Sequence, residues 1–126
     1  MQAVLLVALG GAIGSVLRYE TGAFVLRQVG TAPFPWGTFT VNVAGCAIAG
    51  ILAGLGEHFQ YLTADVRLFL FTGFLGGFTT FSAFGVETIG LVERGEWGIA
   101  AIYVVASVLC GLAALWVALK IGGMGA

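Results

Sequence analysis

Apolar residues fall in four long blocks: about Gln2 to Arg27, Trp36 to Leu55, an otherwise apolar run from Leu68 to Val86 ending near Glu87, and Trp97 to Leu119. A helix rising 1.5 Å per residue crosses a bilayer core of about 30 Å with roughly twenty such residues. None of the blocks alternates apolar and polar with period two, which sets aside a membrane β-barrel. The pattern predicts an all-α membrane protein of four transmembrane helices, residues 1–126 forming a single domain.

The polar connections have distinct characters. Thr31 to Pro35 contains Ala32-Pro33-Phe34-Pro35, a stiff loop, and Pro35-Trp36 is a helix start beside an interfacial aromatic. Glu57 to Arg67 includes His58, the sole histidine, which reads as solvated. Glu93-Arg94-Gly95-Glu96 is a charged loop, and the fourth block is closed by Lys120 and a glycine-rich tail.

The third block carries its own interruption, Gly73-Phe-Leu-Gly-Gly-Phe-Thr-Thr-Phe-Ser-Ala-Phe-Gly-Val-Glu-Thr88. Gly76 and Gly77 free the backbone to leave helical geometry, and Thr79 and Thr80 weaken the helix further through their branching and hydroxyls. A helix broken at membrane depth exposes carbonyls and amides that must face protein, water or an ion. The alternative is an intact helix whose glycines form a packing surface. Beyond the interruption, Phe81 and Phe84 share a helix face, continued by Glu87 or Thr88.

Composition agrees with the blocks and narrows the function. At 60% hydrophobic and 9% charged, with a mean hydropathy of +1.06, the chain is far from a soluble composition. A net charge of -1 without a basic tract gives nucleic-acid binding no support. Cys46 and Cys110 each lie in an apolar block without metal-type spacing and read as packing residues. The first block has no positive region before it and no convincing cleavage site, so it is expected to stay as a span.

Polar residues inside the blocks are the candidates for chemistry. Arg18 and Glu20 lie well inside the first helix and are expected to face a vestibule or the protein interior, with a snorkelling Arg the alternative. Asn42, near Thr38 and Thr40, has an amide that must find partners in apolar surroundings, and such a residue also serves as glue between helices. Tyr103, Ser107 and Gly111 follow each other at intervals of four, placing hydroxyls on one face of the fourth helix.

With four spans, Arg67 and Lys120 fall on one side of the membrane, and Arg18, Arg27 and Arg94 on the other. That bias is feeble under the positive-inside rule, so one sequence inserting both ways and pairing antiparallel is a natural reading. A four-helix bundle also fills its own centre with side chains, which predicts that the polar groups meet across a subunit boundary.

Trp36-Gly-Thr-Phe-Thr-Val-Asn42, followed by Thr72-Gly-Phe-Leu-Gly-Gly-Phe-Thr-Thr-Phe-Ser-Ala-Phe84 and then Glu87-Thr88, resembles the Fluc (CrcB-type) fluoride channel family over all four spans. The resemblance implies a dual-topology antiparallel homodimer in the cell (inner) membrane, with two pores that export fluoride passively. It also implies a structural sodium ion held by the backbone carbonyls of Gly76 and Thr79 from both copies. Neutral oxygens suit a monovalent cation better than a divalent one.

The same resemblance implies that Phe81 and Phe84 flank the fluoride path with their ring edges, whose positive rim attracts an anion. Asn42, Ser82 and Thr38 would donate hydrogen bonds to the ion, and Thr88, Tyr103 and Ser107 would extend a polar track. Arg18 would draw anions into a vestibule. Glu87 lies near the pore, either off the path and hydrogen-bonded or taking part with a proton.

Two other classes compete. A proton-coupled exporter of the small multidrug resistance type also has four spans and dual insertion, but needs an embedded first-helix carboxylate, and Glu20 lies toward that helix's end. A non-conducting structural subunit explains the glycines and leaves Asn42, the break and the polar track without a purpose. No enzymatic constellation is visible, and the chain reads as a non-enzyme.

Overall fold

The computed structural model describes residues 1–58 and 62–124, without the side chain of His58. The reading of His58, and residues 59–61 of the polar connection, lie outside the described residues. The helices are α1 (Gln2–Val29), α2 (Trp36–His58), α3 (Ala64–Arg67), α4 (Gly76–Phe78), α5 (Phe81–Glu93) and α6 (Trp97–Gly123). Between α3 and α4 the chain continues as a π-wound stretch, Leu68–Leu75, where Gly76 N–H reaches back five residues to Phe71 O. Four segments, Gln2–Val29, Trp36–Glu57, Ala64–Glu93 and Trp97–Gly123, are long and apolar enough to span a bilayer. The protein is a multi-pass membrane protein, and each span is longer than its apolar block.

The ends follow local chemistry. Gly30, at φ 72°, lets its N–H close on Leu26 O at 2.9 Å and stops α1. Gly95, at φ 79°, turns the chain after α5, with Glu96 N–H bonding Leu91 O and Gly95 N–H bonding Val92 O, both at 2.9 Å. That pair of bonds is a Schellman closure. Thr63 Oγ1 accepts from Val66 N–H at 3.3 Å and caps α3.

Two helix pairs make up most of the bundle, α1 against the first half of the third span and α2 against α6. Both are glycine contacts, as expected where association relies on close van der Waals packing and not on burial from water. Gly10 and Gly14 of α1 rest on the backbone of Phe69, Gly73, Phe74 and Phe78, and Gly77 rests on Gly11. Gly50 and Gly54 of α2 rest on Leu115, Leu119 and Gly123, and Gly122 rests on Ile51. The buried cluster of Leu91, Ala100 and Tyr103 joins α5 to α6, with Phe34, Phe39 and Phe84 packed around it.

The third span does break, but later than the glycine pair. Gly76 keeps helical dihedrals (φ -61°, ψ -36°), and the chain becomes extended at Thr79 (ψ 157°) and Thr80 (φ -148°, ψ 113°). Gly77 serves close approach, since a Cβ there would sit 2.5 Å from Gly11 O. The threonines make the interruption. Thr79 donates its N–H and its hydroxyl to Leu75 O, at 2.9 and 2.8 Å, and ends one half-helix. Thr80 starts the next, its hydroxyl accepting from Ala83 N–H at 3.2 Å as the N-cap of α5.

Candidate functional site

At the break, the extended dipeptide leaves Thr80's own N–H and C=O without helical partners. Asn42, one turn and a half into α2, satisfies both. Its Oδ1 accepts from Thr80 N–H at 2.8 Å, and its Nδ2 donates to Thr80 O at 3.0 Å. The side-chain amide thus replaces a neighbouring peptide unit. A carboxamide has two N–H donors and this pairing uses one, so one N–H remains for another acceptor.

A second polar group lies about two turns further toward the end of the span. Glu87 of α5 accepts from Thr38 Oγ1 through Oε1 and from the Tyr103 phenol through Oε2, each at 2.7 Å. Both are short O–H···O bonds, at the close end of the usual range. Three elements, α2, α5 and α6, therefore converge on one carboxylate. The expectation that the polar groups meet across a subunit boundary is corrected for Thr38, Glu87 and Tyr103, which meet within one chain.

Rings continue from this carboxylate to the break. Tyr103, fully buried, lies 5.1 Å from Phe84 between centroids, and Phe84 lies 5.6 Å from Phe81. Phe81 is 85% exposed, so its ring projects from the chain. In the other direction Tyr103 meets Phe34 at 5.3 Å and 81°, edge to face. Ser82 is exposed beside the break, its Oγ 3.4 Å from Thr80 Oγ.

A cavity of about 950 Å³ opens alongside, and Arg18, Thr38, Thr80, Ser82 and Glu87 are among its lining residues. Arg18 is half-buried there, its Nη1 donating a long bond of 3.4 Å to Thr79 O. Glu20 is exposed.

Two of the sequence-derived residues stand apart. Thr88 donates to Phe84 O at 2.7 Å within its own helix and lines a separate hollow with Val92, Trp97 and Ala101. Ser107 Oγ is enclosed without a hydrogen-bond partner among the described residues.

Two carbonyls at the break lose their helical donors. In an unbroken helix Gly76 O would accept from Thr80 N–H and Thr79 O from Ala83 N–H. Those donors go instead to Asn42 Oδ1 and Thr80 Oγ1. Gly76 is exposed on the surface of the chain. Thr79 O keeps a lone pair beyond its long contact with Arg18.

Sequence reasoning missed Phe34 and the Thr80 peptide groups. Thr80's backbone leaves no trace in residue identity beyond the threonine pair. For Phe34 the signal was present, an aromatic clamped between two prolines, but it read only as a stiff loop.

The chain is similar to known proteins over nearly its whole length. The family described as CrcB-like protein, Camphor Resistance (CrcB), matches residues 5–119. A Methylobacillus flagellatus protein named fluoride-specific ion channel FluC is 50% identical over 121 residues, covering 96% of this chain and 94% of its own. A Rhizobium etli protein of the same name is 53% identical over 121 residues, 96% of both chains. One from Rhodospirillum centenum is 48% identical over 121 residues, 96% of this chain and 95% of its own.

Proposed function

The chain belongs to the CrcB-like family, and on that premise we propose that it is a fluoride-selective channel, built as an antiparallel dual-topology homodimer with two pores. Its relatives carry the name of a channel and not of an enzyme. The observation that carries the reading is the pairing of Asn42 with the Thr80 peptide at the break, which leaves one amide N–H over, with Ser82 and the Phe81–Phe84 pair opening the half-helix that follows.

Fluoride is small and firmly hydrated, so a path must supply donors where water is removed. The second Asn42 N–H and the Ser82 hydroxyl are such donors, and the edges of Phe81 and Phe84 offer the positive rim of each ring. Arg18, in the cavity wall, raises the local anion concentration before the narrow part. Glu87 is the one group there that would repel the ion. Tyr103 and Thr38 hold both its oxygens, which favours a carboxylate fixed off the path. In this reading Thr38 and Tyr103 serve the track by restraining that charge, while Ser107 and Thr88 stand outside it.

The exposed ring of Phe81 and the exposed Gly76 are suited to a second copy of the chain inverted against the first. Gly76 O and Thr79 O of both copies would hold a structural sodium ion, which supplies a bridging positive charge between the two breaks. Replacing sodium by N-methylglucamine is expected to loosen the dimer, read as earlier dissociation or a later elution on size exclusion. Indifference to the exchange would remove the ion from Gly76 and Thr79.

The direct test is fluoride efflux from liposomes of purified protein, followed with a fluoride electrode beside a chloride control. Rapid fluoride loss with chloride retained is the expected result, and retention of both overturns the reading. A proton-coupled exporter would instead show transport driven by a pH gradient.

A further inference from the structure

Pro33 and Pro35 fix φ on both sides of Phe34, and Trp36 N–H closes on Phe34 O at 2.8 Å, so little freedom is left to the residue between them. Its ring is held as firmly as its backbone. It meets Trp36 at 4.5 Å, Phe39 at 5.4 Å and Tyr103 at 5.3 Å, the last two edge to face. A connecting loop has no need of such an arrangement for closure alone. Phe34 is the outer end of a ladder that continues through Tyr103 and Phe84 to Phe81.

We infer that Phe34 is a positioning residue for conduction: its ring locks the Tyr103 ring in the orientation from which the phenol restrains Glu87. The inference rests on the fluoride-channel reading above and extends it to a loop residue that does not touch the ion. Tyr103 is pressed on one side by Phe34 and on another by Phe84. Its hydroxyl has one strong acceptor, Glu87 Oε2 at 2.7 Å. Without the Phe34 ring the phenol gains room to turn, and Glu87 keeps only the Thr38 bond to hold a negative charge beside an anion path.

Phe34→Leu keeps an apolar side chain of similar bulk and removes the ring. Aromatic pairs of this geometry shift a two-state population by roughly two- to tenfold, so fluoride efflux is expected to fall by about that factor while the dimer elutes as wild type. Phe34→Tyr, which keeps the ring, is expected to restore the rate. In a Tyr103→Phe background, where there is no hydroxyl left to aim, Phe34→Leu is expected to add nothing.

Wild-type flux in Phe34→Leu overturns the inference, as does a loss that adds fully to that of Tyr103→Phe. Failure of Phe34→Tyr to rescue also overturns it. If Phe34→Leu does not assemble, Phe34→Met is measured in its place against the same outcomes. A wild-type protein that releases no fluoride refutes the channel reading itself, a result distinct from any of these.

Discussion

Asn42→Ala is expected to lower fluoride efflux from liposomes by at least about a hundredfold while the purified protein still elutes as wild type. The size follows from what the amide does at the break. Its removal leaves Thr80 N–H and Thr80 O unpaired together, where each now bonds the side chain at 2.8 and 3.0 Å. An unsatisfied buried polar group costs about 1–3 kcal/mol, and two of them suffice to make the extended dipeptide unfavourable against a rewound helix. Rewinding would turn Phe81 and Ser82 about the α5 axis, and the spare N–H disappears in the same substitution. Structure and ion binding are thus lost at one residue. Asn42→Asp keeps the acceptor for Thr80 N–H but loses both N–H donors, so it removes donation to Thr80 O and to the ion together and adds an acidic group beside the path. It is expected to abolish flux as fully as alanine does. Wild-type efflux in the alanine variant, measured beside a chloride control, would take Asn42 out of the pathway.

The four spans were legible because membrane burial writes itself as length and hydropathy, and only their ends moved, to Val29, His58 and Gly123. The break was legible as a region and not as a residue. Glycine has two uses, unusual dihedrals or close approach, and residue identity does not distinguish them. Gly77 serves the second and Gly76 simply keeps helical dihedrals, so Thr79 and Thr80 carry the extended backbone. Asn42 was legible as an amide in need of partners, but its partners are backbone atoms, which are the same in every residue. The Glu87 pairing with Thr38 and Tyr103 joins positions 49 and 16 apart in sequence and depends on how three helices rotate, which no local pattern encodes. The π-wound stretch at Leu68–Leu75 likewise had no mark in a run of plain apolar residues.

Glycine used for close approach makes its own prediction, the largest expected effect on stability. Gly14 is buried in α1, and a Cβ there would overlap Phe74 O while lying 2.9 Å from Phe78 N and 3.0 Å from Phe74 C. These neighbours are backbone atoms of the third span, so no rotamer change can relieve the contact and α1 must move away. Overpacking costs typically 1–3 kcal/mol where side chains can adapt, and a backbone contact lies at the upper end or beyond. Gly14→Ala is therefore expected to unfold about 10 °C or more below wild type in detergent. Gly98→Ala is the matched control: nothing lies within 4 Å of its Cβ direction, and alanine is the better helix former. It is expected to be neutral or slightly stabilising. The same displacement reaches the site, because Phe78 immediately precedes Thr79, whose position sets where Thr80 meets Asn42. Gly14→Ala should consequently lose flux at temperatures where it remains folded, and Gly98→Ala should not. Equal melting temperatures for the two variants would mean that α1 yields easily, and that the break is not held in place by the helix beside it.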